Sequence, residues 1–240
     1  GPDDGRAGAR KRRHRRDAHA REAARSAGAR VGFDLAHAAG NLPLALHESG
    51  ADFAAWCSYK YLNSGPGSIA GAFVHERHAE NNLPRFHGWW GHQQHSRFQM
   101  GAEFKATPGA EGWQLSNPPI FAMAPLRASL EIFQSVGMQC LRQKSIQLTS
   151  YLESLIEQEL SAIIRSVTPK NVEQRGCQLS LQVLAGREQG RALFEHLQKH
   201  NIIGDWREPD VIRLSPTPLY NSYSDCFQAV TCIKQWAELS

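Results

Sequence analysis

The chain reads as an α/β protein: a partial large domain built on a mostly parallel sheet, followed by a small α+β domain. Three observations predict this. Short apolar segments at Val31–Asp34, Phe53–Trp56 and Ile69–Val74 recur in strand-then-helix order, the arrangement of parallel sheets. A helical apolar period then runs from Pro125 to about Ile164. Beyond it, Gln178-Leu179-Ser180-Leu181-Gln182-Val183 alternates with period two, as a half-buried antiparallel strand does. The expected divisions are a basic arm over 1–30, the partial large domain over 31–137 and the small domain over 138–240.

Taken in order, residues 1–18 have no apolar periodicity and almost no large hydrophobic side chain, so they are expected to be disordered. A short helix over Ala18–Arg30 leads to a buried strand ending at Asp34. Residues 76–119 are rich in His, Gly, Trp and Pro without a period, which predicts a long loop region. Loops of that length usually carry function. Gly137 breaks the helical stretch in two. In the last part, Gly190–Asn201 reads as an amphipathic helix, Val211–Ser215 as a strand and Tyr223–Leu239 as a closing helix.

The bulk numbers exclude some classes. Hydrophobic content of 41% and a mean hydropathy of −0.46 describe an ordinary soluble protein. No run of apolar residues is long enough for a membrane span, so no membrane partner is expected. The cysteines at 57, 140, 177, 226 and 232 are odd in number and scattered, which points to reduced thiols in a cytoplasmic setting. Residues 1–30 hold ten Lys or Arg against four acids, and the remainder holds 17 against 19. The basic character therefore belongs to the arm, which reads either as a nucleic-acid-binding or nuclear-localisation segment or, as favoured here, as a translation or gene-model artefact or a solvated tail; the abrupt change in composition near residue 30 suits a splice between unrelated coding frames. No nucleic-acid partner is expected.

The chemistry concentrates at Trp56-Cys57-Ser58-Tyr59-Lys60-Tyr61-Leu62-Asn63. A lysine among aromatics, ahead of the flexible Ser64-Gly65-Pro66-Gly67-Ser68, suits a desolvated amine that forms a Schiff base. Upstream, Val31-Gly32-Phe33-Asp34 places an acid at a strand end, with His37 three positions on. An acid to hold a pyridine nitrogen protonated and a lysine to hold an aldehyde are the needs of pyridoxal phosphate. Each residue also has a plainer reading. Lys60 can lie along a strand end with its ammonium in water, Asp34 can cap a following helix, and His37 can be a surface histidine. His87, His92 and His95 lack ligand spacing and a companion acid, so no metal site is expected.

Gly32-Phe33-Asp34-Leu35-Ala36-His37-Ala38-Ala39-Gly40-Asn41, the Asp52–Asn63 segment and Ile69-Ala70-Gly71-Ala72-Phe73-Val74-His75-Glu76 together resemble kynureninase, a pyridoxal-phosphate (PLP) enzyme of fold type I in the class V aminotransferase superfamily. So do Gly88-Trp89-Trp90-Gly91-His92, Ser116-Asn117-Pro118-Pro119, Glu173–Leu179 and Arg213–Ser222. The resemblance covers about residues 25–240. It implies that Lys60 forms the Schiff base with the cofactor and moves protons at the substrate α-carbon. It implies that Asp34 pairs with the pyridinium nitrogen, with His37 beside it, and that Tyr59 bonds the cofactor phosphate and relays a proton. Trp89 and Asn117 are implied to reach cofactor or substrate across a homodimer interface, and Arg213 to grip the substrate α-carboxylate. The implied reaction is hydrolysis of L-kynurenine to anthranilate and L-alanine, or of 3-hydroxykynurenine to the 3-hydroxy acid, in tryptophan catabolism and NAD biosynthesis.

Relatives of this kind carry a further N-terminal half of the large domain, where this chain has the arginine-rich arm. The alternative expectation is therefore an inactive fragment acting through protein association. A cysteine desulfurase-like reading asks instead for a mobile loop cysteine, and Cys57 looks packed.

Overall fold

The computed structural model describes residues 23–24, 26–80 and 83–239. The arm expected to be disordered, and residues 18–22 and 25 of the helix expected over Ala18–Arg30, lie outside these residues. The chain divides at Ser135/Val136 into two compact units.

The first unit carries a three-stranded sheet in the order β1 (Gly32–Asp34), β2 (Phe53–Trp56), β3 (Gly71–Val74). β1 and β2 are parallel, with Phe33 opposite Ala54 and Asp34 opposite Ala55. β3 is antiparallel to β2. The expected mostly parallel sheet is thus corrected to a mixed one. The reason lies in the connection over residues 57–70, which contains no crossover helix, so the chain folds straight back on β2. β1 also differs from the buried strand expected. Gly32 and Asp34 are exposed, as are their neighbours Phe53, Ala55 and Ala72, while Ala54 on the opposite face is buried.

Among the described residues, the loop region from Glu76 to Pro119 holds short helical turns at Glu76–His78, Gln94–Arg97 and Gly109–Trp113 and an antiparallel bridge between His92 and Ala106. Side chains reinforce it. The Arg97 guanidinium lies 4.4 Å from the Trp90 ring and donates to the carbonyls of Trp90 and His92, each at 2.9 Å. Helix α1 (Ile120–Val136) follows. It begins before Pro125, where the sequence placed its start, and the proline sits inside the helix.

The second unit is an antiparallel four-stranded sheet in the order β4 (Ile164–Ser166), β5 (Leu179–Val183), β7 (Val211–Leu214), β6 (Asp205–Arg207). Helices α2 (Met138–Glu159), α3 (Arg187–Lys199) and α4 (Tyr223–Leu239) belong to the same unit. Gly137, at φ +83°, separates α2 from α1, the break that the sequence predicts. β5 alternates as expected: Leu179, Leu181 and Val183 are buried, and Ser180 and Gln182 are only partly so. These side chains join Leu148, Leu152 and Ile156 of α2, Leu193 and Leu197 of α3, and Val230 and Ile233 of α4 in one core. The sequence missed β4, which it read as the tail of the helical stretch, and β6. Each is three residues long, too short to show a period. Among the described residues, no helix is long and apolar enough to cross a membrane.

Candidate active site

The carboxyl ends of the two parallel strands point to a common region, the place where open α/β sheets bind ligands. β1 ends in Asp34, which is exposed, and its Oδ1 accepts a hydrogen bond from the Ala36 N–H at 2.8 Å. The ladder continues one step further, with the Leu35 N–H donating to the Ala55 carbonyl at 2.8 Å. The Cys57 thiol approaches the Ala36 carbonyl at 3.8 Å. Cys57 is therefore held against the strand exit of β1, consistent with the packed role read from sequence.

After β2 the chain makes a compact polar turn. Ser58 is buried and donates to the Ile69 carbonyl, and Ser64 donates to Ser58 Oγ at 2.7 Å. The Ser64 N–H returns to the Ser58 carbonyl at 3.2 Å. Lys60 is presented on this turn. Its Nζ lies 3.1 Å from His37 Nε2 and 5.8 Å from the centroid of the Tyr59 ring. His37 also meets Tyr61 edge-on, with ring centroids 5.9 Å apart. Gly40 permits the approach of the two segments. It takes φ +80°, and a Cβ there would fall 2.6 Å from the Tyr61 carbonyl carbon.

The structure thus brings Lys60, Tyr59 and His37 together, with Asp34 at the adjacent strand end. Beside them is an open depression of about 500 Å³ floored by Gly32, Ala36, Ala55 and Ala70 and bordered by Asp34 and Cys57. Phe33, Phe53 and Trp56 also line it, so its surface combines small and aromatic side chains. Trp89 and Asn117 are exposed on the loop region, and Trp89 is edge-on to Phe98, with ring centroids 5.5 Å apart. His87 and His92 pack against Phe104, and His92 Nε2 is 3.0 Å from Ser96 Oγ.

Arg213 belongs to the second unit, on β7, between buried Ile212 and Leu214. Alternation turns it to the other face, where Asp205 of β6 is its cross-strand partner. Its Nε donates to Asp205 Oδ2 at 2.6 Å and its Nη2 to the same oxygen. The sequence did not foresee this carboxylate partner, because β6 was not recognised.

The sequence also passed over the Asp52 cluster beneath β2. Asp52 is buried and accepts from the Val31 N–H at 2.8 Å and from Arg77 Nε at 3.0 Å, with His78 Nε2 at 2.7 Å. Burial pushes its carboxyl upward, but these hydrogen bonds and the Arg77 charge outweigh burial and hold it well below the usual carboxylate range. It ties the start of β1 to the end of β3 and is a structural clamp.

Comparison with solved structures defines the fold first. A cysteine desulfurase from Escherichia coli matches at a TM-score of 0.71 and 19% identity, covering 90% of this chain and 53% of its own. A C-DES variant with glycine covalently linked to its PLP cofactor matches at a TM-score of 0.65 and 20% identity, covering 82% of this chain and 49% of its own. The chain carries part of the fold type I, class V architecture that these structures share. Within that class the sequence is kynureninase-like. Residues 141–233 match the kynureninase C-terminal domain family. The kynureninase of Xanthomonas campestris pv. campestris strain B100 is 61% identical over 214 residues, which is 89% of this chain and 50% of the relative. The chain spans about half the length of the curated relatives it matches.

Proposed function

We propose that this chain carries the lysine-bearing half of a kynureninase-type site, in which pyridoxal phosphate is held at Lys60 and L-kynurenine or 3-hydroxykynurenine is hydrolysed to the corresponding anthranilate and L-alanine. The observation that carries this reading is the 3.1 Å approach of Lys60 Nζ to His37 Nε2, beside the strand-end carboxylate Asp34. The 61% identity to a kynureninase supports the choice of substrate over other reactions of the fold.

The donor set suits the cofactor. When bound, pyridoxal phosphate supplies the electron sink that lets a carbon–carbon bond break. The protein supplies the rest. Lys60 must give up a proton to act as a nucleophile, and His37 Nε2 is near enough to receive it. The same amine then carries protons at the substrate α-carbon. Asp34 is the acid for the ring nitrogen, and its bond from the Ala36 N–H fixes its orientation. Tyr59 offers its hydroxyl for the phosphate and for proton relay. Arg213 is assigned to the substrate carboxylate, a task for a planar guanidinium, and Asp205 orients it.

Trp89 and Asn117 are assigned to cofactor or substrate contact across a homodimer interface. The exposed Phe86, Phe98, Met100, Leu115 and Phe121 of the first unit favour such an association. Cys57, Cys140, Cys177, Cys226 and Cys232 form no disulfide with one another, which suits a cytoplasmic setting.

Borohydride reduction of the purified chain with pyridoxal phosphate, followed by peptide mass mapping, tests this reading. A stable phosphopyridoxyl group on Lys60 alone is expected, lost in Lys60→Arg. Labelling spread over many lysines, with none preferred, would mean that the site is not assembled in this chain. Kynurenine turnover by the labelled-competent protein then tests the substrate.

A further inference from the structure

We infer a zinc site in the second unit, built by His196, His200 and Cys232 and separate from the proposed Lys60 chemistry. Among the described residues these three form the group of His, Cys, Asp and Glu side chains spaced to hold a metal, and their ligand atoms all lie within 4.8 Å of one another. His196 and His200 are four residues apart at the end of α3, so they share one face, and their ring centroids are 4.1 Å apart. Cys232 comes from α4 and is buried.

Two details point to a ligand. His196 Nε2 is buried with no hydrogen-bond partner, which is costly for a nitrogen that water does not reach. A metal would satisfy it. His200 Nδ1 lies 2.8 Å from the His196 carbonyl, so Nδ1 carries the proton and Nε2 is left with its lone pair to ligate. That carbonyl is the kind of outer partner that fixes the ring of a metal-binding histidine.

The donor set selects the ion. Two imidazoles and one thiolate are borderline-soft ligands in a small cluster, the preference of tetrahedral Zn²⁺. Tetrahedral zinc places ligand atoms about 3.5 Å apart, so closure requires side-chain shifts of about 1 Å. His200 and Cys232 line a depression of about 300 Å³ together with Phe227, Gln228, Thr231 and Gln235. In the proposed site a water supplies the fourth ligand. On binding, the Cys232 S–H bond gives way to Zn–S and its proton passes to solvent. No change of oxidation state is involved.

Co²⁺ is the spectroscopic probe for the test, added to the full chain and then displaced by Zn²⁺. The expected result is one Co²⁺ per chain, with thiolate-to-cobalt charge transfer in the near ultraviolet and tetrahedral d–d bands in the visible. Cys232→Ser is expected to abolish the charge-transfer band. His200→Ala, at an exposed position that leaves the core intact, is expected to weaken binding on the order of a hundredfold. His92→Ala is expected to change nothing. Absence of the band in the wild-type chain overturns the site. So does a band that survives His200→Ala at unchanged affinity, which would put the metal elsewhere whether or not Cys232→Ser folds.

Discussion

The two units of this molecule solve the problem of burial differently. The second unit closes a core of its own. Leu148, Leu179, Leu181, Leu193 and Leu197 are fully buried, and three helices accompany one antiparallel sheet. In the first unit the buried apolar residues are few and small, Ala39, Ala51 and Ala54 with Phe133, while Asp52, Ser58, Ser64, His75 and His78 are buried polar groups. Its sheet shows Phe53 at 50% exposure, and Phe121 on α1 reaches 93%. An antiparallel sheet tolerates one wet face, but parallel pairs such as β1–β2 are ordinarily covered on both sides. The difference teaches that the candidate chemistry sits on a scaffold fastened by polar clamps, whereas the unit with the strong core carries the substrate-carboxylate candidate Arg213.

That contrast predicts unequal responses to mutation. Leu181→Ala removes a fully buried side chain from the centre of β5, between β4 and β7. The expected cost is about 2–5 kcal/mol, from lost transfer free energy and the cavity left behind. Segment-resolved hydrogen exchange should show protection falling across β4, β5, β7 and α2. A loss below about 1 kcal/mol would mean that the second unit is packed no better than the first, and the comparison would fail.

How much was legible beforehand follows from the same physics. The strand β5 was readable because alternation in Leu179, Leu181 and Val183 directly records a buried face. Gly137 was readable because its backbone takes a φ that favours glycine. Lys60 and His37 were singled out through residue chemistry and order and Tyr59 through the family resemblance, and the structure places the three side by side. What was not legible depended on pairing. The antiparallel return of β3 is set by a connection without a helix, and β4 and β6 are too short for a period to show. The Arg213–Asp205 pair follows from β6 lying beside β7, and the Asp52 clamp from the register of β3. The candidate metal cluster joins α3 to α4 through tertiary packing: the spacing of His196 and His200 stands in the sequence, but nothing there announces Cys232 as their partner.

Asp52 gives the sharpest test of the polar clamp. Its folded-state pKa is depressed, so its contribution to stability is complete above the unfolded carboxyl value, about 3.9. It is lost progressively as pH falls below that value toward the lower folded pKa. Exchange protection of β1 and β3 is therefore expected to drop below about pH 4, ahead of any loss in β5. Asp52→Asn keeps the shape but weakens the bonds to Arg77 and His78, at a cost of about 1–3 kcal/mol at neutral pH. It should also flatten the acid dependence of β1. An acid profile of β1 and β3 identical in Asp52→Asn and wild type would remove the clamp from the account.

The smallest expected effect concerns the bare face itself. Phe53→Ser replaces a half-exposed ring on β2 and leaves the buried Ala54 side untouched. Surface changes of this kind usually alter stability by less than about 0.5 kcal/mol. The expected outcome is therefore little change in unfolding of the dilute chain, with reduced self-association at high concentration, read by sedimentation velocity. The ring sits over Gly32, where a Cβ would fall 2.2 Å from it, so it also shields the β1 backbone. If that shielding matters more than the exposure, Phe53→Ser will instead release exchange protection at Gly32–Asp34 and weaken trapping at Lys60. A result of that kind would turn Phe53 from an uncovered surface residue into a support of the strand that carries Asp34, and would show that even the open side of this sheet is partly packed.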